Sequence, residues 1–278
     1  MTITADHLPL ILQPSEFAEV MQHEHKGLDL RIVDLSNEGN FLAAHIPGAV
    51  HLPFRALMLG QPPAPGKLPP LSQLQDVFKY LGLNENTHFI VCDDEGGGWA
   101  GRFIWTLDVI GHKKYSYIDG GMIAWQAEGL PTESGQPSTS FQSDTIPEFS
   151  IDRSPIADLE SIQDSLGKDR FVVWDARSPQ EHNGSKVLAA KGGHIPGAIN
   201  AEWTTLMDPA RGQKFRSDAK ARLAALGITG ERPIITHCQS HHRSGFTYLL
   251  GKYLGFDIQA YDGSWSEWGN HPDTPVEQ

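Results

Sequence analysis

The chain has 278 residues, 39% of them apolar, which suffices for ordinary cores and argues against global disorder. Its 22 Lys and Arg residues against 34 Asp and Glu give a formal net charge of −12. With no clustered basic footprint, that balance argues against nucleic acid and against an anionic membrane surface as partners. No run of about 18 apolar residues occurs, so no transmembrane helix is expected.

The N-terminal stretch MTITADHLPLILQPSEF has no basic n-region, and a proline interrupts its apolar part, so no secretory signal is expected. Residues 32–54, IVDLSNEGNFLAAHIPGAVHLPF, carry the pentapeptide HIPGA at 45–49, and GQPPAPGKLPP at 60–70 reads as a long loop. HFIVCDD at 88–94 is an apolar run of strand type, GGGWAG at 96–101 leads into a helix, and IDGGMIAW closes the unit at 118–125. Residues 131–150, PTESGQPSTSFQSDTIPEFS, lack helical periodicity and have the composition of a surface linker.

The second half repeats the first. HIPGA recurs at 194–198, PIITHCQ at 233–239 answers HFIVCDD, and YDGSWSEW at 261–268 answers IDGGMIAW. The three pairs keep their order at offsets of 149, 145 and 143 residues, the mark of a duplicated domain whose loops differ in length. The expected organisation is a first domain over 1–130, a linker over 131–150 and a second domain over 151–278. Within the second copy, FVVWDA (171–176) and PIITHC (233–238) read as strands covered on both faces, with helical patterns over 218–226 and 244–253. Strands alternating with helices predict an α/β fold, each domain a parallel sheet flanked by helices. Ligands of such sheets bind outside the carboxyl ends of the strands.

Cys92 and Cys238 are too few for a disulfide framework or a four-cysteine zinc site, and a reducing cytoplasm is the expected home. Cys238 falls at a strand end directly before a helix, in the run Cys238-Gln239-Ser240-His241-His242-Arg243-Ser244. A structural thiol is the plain alternative, since free Cys is among the most buried residue types. Six polar or basic residues in succession do not suit a core, however, and a loop entering a helix N-terminus presents backbone N–H groups to an anion. The same field lowers a thiol from about 8.5 towards the range in which thiolate dominates at neutral pH. Arg243 is expected to add fixed charge, and His241 and His242 charge that depends on pH. Cys238 is therefore predicted to be a nucleophile for an anionic substrate. Cys92, inside an apolar strand pattern, is expected to be a small buried hydrophobe.

The tandem HIPGA units, the WDAR strand end and the CQSHHRSG loop resemble the two-domain rhodaneses, the thiosulfate sulfurtransferases, over nearly the whole chain. The resemblance implies two rhodanese-like domains with the nucleophile in the second. It implies transfer of a sulfane sulfur from thiosulfate to cyanide or another thiophilic acceptor, through a persulfide on the residue matching Cys238. It places Arg177 and the loop residues Gln239, Ser240, His241, His242 and Arg243 at the substrate, with neither cofactor nor metal. From spacing alone, Arg177 could instead form a surface ion pair with Glu181. The loop departs from the Cys-Gly-Ser-Gly type of the mercaptopyruvate sulfurtransferases, which leaves mercaptopyruvate as the second donor. A persulfide carrier serving a protein acceptor is the non-catalytic alternative.

Two other chemistries compete. A cysteine phosphatase or arsenate reductase needs Cys-x5-Arg, whereas four residues separate Cys238 from Arg243. GGGWAG satisfies the dinucleotide fingerprint, with Asp119 downstream, although Asp93, Asp94 and Glu95 would repel a pyrophosphate. The repeat sets Asp93 opposite Cys238, so the first domain is expected to be structural or regulatory. His45 and His194 are expected to build turns, and His237, at a strand end, either orients the loop or packs. Trp203 and Trp265 are read either as walls of an interdomain cleft or as core.

Overall fold

In the computed structural model, which describes residues 8–22 and 29–278, the chain builds the same unit twice. The first begins with β1 (Ile11–Leu12), α1 (Pro14–Met21), β2 (Asp29–Asp34), α2 (Glu38–Ala43) and β3 (Val50–His51). It continues through α3 (Leu71–Tyr80), β4 (Thr87–Cys92), α4 (Gly98–Val109), β5 (Tyr115–Ile118) and α5 (Gly121–Ala127). The second opens with β6 (Ile156–Ala157), α6 (Leu159–Gln163), β7 (Val172–Asp175), α7 (Pro179–His182) and β8 (Ile199–Asn200). After a small hairpin, β9 (Met207–Asp208) and β10 (Lys214–Phe215), come α8 (Ala219–Ala225), β11 (Ile234–His237), α9 (Arg243–Tyr253), β12 (Ile258–Tyr261) and α10 (Ser264–Trp268).

Among the described residues each domain holds a five-stranded sheet, in the orders β1-β5-β4-β2-β3 and β6-β12-β11-β7-β8, with every pairing parallel. The orders are superimposable, so β11 is the counterpart of β4 and α9 of α4. All six residues of β4 and all four of β11 are buried, as central strands covered by helices on both faces must be. No described helix is long and apolar enough to cross a membrane.

The domains meet where α4 and α9 cross. A Cβ on Gly101 would run into the Gly245 carbonyl, and one on Gly245 into the Gly98 carbonyl, so the helices approach at distances only glycine permits. One continuous apolar cluster, including Phe103, Trp105, Phe246 and Leu249, runs through both domains around this crossing. Each domain also extends an arm onto the other. From the first, the Leu68 amide donates to Asp262 (2.7 Å) and Lys67 pairs with Glu267 (2.6 Å). From the second, the Phe215 amide donates to Asp119 (2.8 Å) and Lys214 pairs with Glu128 (2.6 Å).

The segment expected as a surface linker is tied down. The amides of Gly135 and Ser143 donate to the carbonyls of Leu42 and Lys79, and Phe149 packs edge-on against Phe78 at 5.7 Å. Its polar composition conceals these anchors because most of them are backbone groups.

Candidate active site

β11 pairs with β7 on one side and β12 on the other, and it delivers Cys238 at its carboxyl end, 1% exposed. The chain turns at His241, whose φ is +53°, and enters α9 at Arg243. The loop is pinned from below. The Trp265 and Ser266 amides donate to the Cys238 and Gln239 carbonyls, both at 2.9 Å. Ser264 Oγ accepts the amides of Cys238 (3.3 Å) and His241 (3.1 Å) while donating to the Tyr261 carbonyl. Two of the amides expected to face an anion are therefore engaged by Ser264. What faces the sulfur is Ser244, whose hydroxyl donates to Sγ at 3.5 Å and whose amide also reaches it. Burial alone would push the Cys238 thiol up. Arg243, the two Ser244 donors and His242 outweigh it and leave the thiol below its ordinary value.

Arg243 is held in a two-pronged pair with Glu181, at 2.7 and 2.8 Å. Burial raises the Glu181 carboxyl, but Arg243 and Ser178 pull it down to about 2. Glu181 owes its place to α7, where Ser178 caps the N-terminus, Pro179 opens the first turn and Glu181 completes the capping box. His242 stacks on Trp99 of the first domain at 4.1 Å and pairs with Glu95. Gln239 and Ser240 are half-buried, with Gln239 Nε2 donating to the Leu188 carbonyl at 3.2 Å.

His241 is fully buried, so desolvation holds its imidazole well below the usual value, and it supplies no charge near neutral pH. The expectation of a pH-dependent charge at this position is corrected accordingly. Arg177 does not pair with Glu181. Its guanidinium, 1% exposed, forks onto Asp175 (2.6 to 3.1 Å), donates to the Gly193 carbonyl (2.8 Å) and lies over Trp265 at 4.3 Å. The Asp175 carboxylate, held far below the usual range despite burial by His237, His182 and Arg177, anchors the floor of the site. His237 sits beside it, fully buried and pushed down by desolvation to about 4. Trp265 belongs to the second domain's core, whereas Trp203 is half-buried and meets His242 edge-on at 5.6 Å.

Cys92 has the opposite surroundings. It is fully buried, and desolvation with Asp34 and Asp93 nearby pushes its thiol well above the ordinary value. In the first domain the strand-to-helix loop does form a nest of amides, and its own Asp93 fills it. Oδ1 accepts from Glu95, Gly96 and Gly97 (3.2, 3.0 and 2.8 Å), and Oδ2 from Ala100 (3.0 Å). The GGGWAG segment thus spends its donors internally, and Asp119 is bonded to Phe215 and Gln13, so the dinucleotide alternative is overturned. His45 and His194 brace equivalent turns, each ring donating from Nδ1 to a neighbouring carbonyl (Phe41 and His182) and each backbone bridged to a later segment at Glu133 and Glu277.

Asp175, Ser244 and the first domain's Trp99 and Arg102 were not singled out in the sequence, and Glu181 entered it only as a partner for Arg177, whereas it pairs with Arg243. The S-P-Q-E capping pattern announced Glu181, and Ser244 lay within the quoted loop. The first-domain residues have no signal along the chain, because only the helix crossing brings them to Cys238.

Family comparison agrees with this geometry. The model of the Rhodanese-like domain matches residues 15–128 and again 158–271. A thiosulfate sulfurtransferase of Azotobacter vinelandii is 49% identical over 271 residues, 97% of each chain. One of Pseudomonas aeruginosa is 48% identical over 278 residues, the whole of both chains. Among solved structures, the Tum1 protein from Saccharomyces cerevisiae superposes with a TM-score of 0.85 over 97% of this chain and 99% of its own, at 22% identity, a likeness of fold. With its family model matched twice and its sheet order duplicated, the chain belongs to the rhodanese-like family as a two-domain sulfurtransferase.

Proposed function

We propose that the protein moves the outer sulfur of thiosulfate to a thiophilic acceptor through a persulfide on Cys238. The thiolate attacks the sulfane sulfur, a new S–S bond forms, and the S–S bond of thiosulfate breaks with its electron pair leaving on sulfite. Cyanide or another acceptor then attacks the outer sulfur of the persulfide and returns the cysteine thiolate, a two-stroke covalent cycle. One observation carries this reading: at the carboxyl end of the central strand, Arg243 and both Ser244 donors converge on a single sulfur.

In this reading Arg243 supplies the positive charge at the mouth, and Gln239, Ser240 and His242 line it. His241 and Arg177 serve from within, Arg177 by fixing Asp175 below the loop. Because Cys238 is 1% exposed, thiosulfate reaches it only when the side chains above it give way. Both cysteines are free, in keeping with a reducing cytoplasm. Thiocyanate formation from thiosulfate and cyanide tests the proposal. Cys238→Ser should abolish it and Cys92→Ala should leave it nearly intact; the reverse pattern would move the chemistry to the first domain.

A second reading concerns the acceptor. Val187 and Leu188, 53% and 47% exposed, stand beside Gln239 and offer a protein acceptor an apolar foothold. Sulfur transfer to a protein thiol with slow turnover on cyanide would favour it. Mercaptopyruvate, run beside thiosulfate, ranks the donors.

A further inference from the structure

We propose that Arg102, on α4 of the first domain, is a positioning residue that acts on the Cys238 sulfur through His241 and Ser244. The inference rests on Cys238 being the sulfur-carrying thiol. Ser244 Oγ has a single hydrogen, which it donates to Sγ at 3.5 Å. The contact between Ser244 Oγ and His241 Nδ1, 2.8 Å long, then requires the hydrogen to be on the imidazole nitrogen. A buried neutral ring protonated at Nδ1 has a bare lone pair at Nε2, and Nε2 is buried without a partner.

Arg102 supplies the complementary group. It is fully buried, and among the described residues no carboxylate pairs with it within 4 Å. Two arms of its planar guanidinium donate to the carbonyls of Leu57 and Gly66, each at 2.7 Å, which fixes the direction of the third donor, Nε. That Nε–H is likewise buried and unpartnered. The guanidinium lies 4.6 Å from the Trp105 ring, and His241 meets the same indole edge-on at 4.6 Å. An orphan donor and an orphan acceptor thus border the same indole, and a single bridging water would satisfy both.

The consequence is control of a tautomer. With Arg102 donating towards Nε2, a hydrogen on Nε2 would oppose donor to donor. Nδ1 keeps the hydrogen, and the Ser244 hydroxyl has no acceptor to choose but the sulfur. Without Arg102 the ring can carry its hydrogen on Nε2, Ser244 can turn to Nδ1, and the thiolate loses a donor. The strap that Arg102 grips also touches the loop, since Gly66 packs so closely on Ser240 that a Cβ there would enter its backbone.

The test reads the Cys238 titration by pH-dependent alkylation and the His241 tautomer by 15N chemical shifts. The other charged and titratable groups around the sulfur are Arg243, His242, His237, Asp175, Asp262 and Glu95, and the variants leave all of them in place. Arg102→Met is expected to raise the thiol by about one unit, a roughly tenfold loss of thiolate at fixed pH, and to shift His241 towards the Nε2–H form. Ser244→Ala should raise the thiol similarly, and the double variant should add little to either single one. An unchanged His241 tautomer in Arg102→Met overturns the relay in either case: with a raised thiol the Arg102 charge acts on the sulfur directly, and with an unchanged titration and a lowered melting temperature Arg102 is a structural brace. Should Arg102→Met not fold, the wild type decides: His241 found protonated at Nε2 overturns the relay, and protonation at Nδ1 supports it. Sulfur uptake from thiosulfate is measured separately, so failure of the proposed function is distinguishable from failure of the relay.

Discussion

A cysteine at the end of a buried parallel strand ionises only if the atoms around its sulfur favour charge, and this protein holds both cases. Cys92 and Cys238 are equally buried; Asp34 and Asp93 surround the first, Arg243 and the Ser244 donors the second. Arg243→Ala is therefore expected to raise the Cys238 thiol and slow sulfur uptake at neutral pH by about tenfold, read by alkylation and by single-turnover kinetics. The Glu181 partner gives a prediction in acid. Its carboxyl stands at about 2 in the fold against a usual 4.5, so its contribution is complete above about 4.5 and is lost as pH falls through about 2. The stability advantage of the native protein over Glu181→Gln should shrink across that window in acid denaturation; a constant difference would deny the pair its role. Cys238, its loop and Arg243 were legible in the sequence because they are contiguous. For Arg177 the resemblance gave a place at the substrate, but its partner was not readable, because a spacing of four residues to Glu181 implies a shared helix face, whereas α7 starts only at Pro179 and Arg177 lies before it, turned to Asp175.

At the level of elements, the close crossing of α4 and α9 sets how near the first domain's side chains come to the sulfur. Gly101→Ala would place a methyl against the Gly245 carbonyl, and overpacking of this kind costs roughly 1–3 kcal/mol. A lowered thermal midpoint is expected, together with weaker sulfur uptake, since Trp99 and Arg102 ride on the same helix. An unchanged midpoint would show that the helices can part without loss. The central strands β4 and β11 were readable because burial on both faces leaves an unbroken apolar run. The edge strands β1, β3, β6 and β8 have two residues each, too few for any periodicity to register. GGGWAG read correctly as a strand–glycine–helix junction, but which group fills its amide nest depends on the side chain of Asp93, which the glycine pattern ignores.

Across the whole molecule, duplication has left two copies of one strand-to-helix junction, each covered by an arm of the other domain. In the first the nest is closed by its own Asp93; in the second the equivalent place is taken by Cys238. The repeat was plain in the sequence from three ordered matches. The reciprocal arms were not, because Lys67 with Glu267 and Lys214 with Glu128 become neighbours only once the two domains pack. The first domain thus does more than fill space: it supplies Trp99, Arg102 and the strap over Ser240. The most direct test of the account is the intact mass of the freshly reduced protein after incubation with thiosulfate, beside Cys238→Ser. A gain of one sulfur atom, removed by cyanide and absent from the variant, is the expected result. No gain in the reduced wild-type protein, or an equal gain in Cys238→Ser, would contradict a persulfide on Cys238.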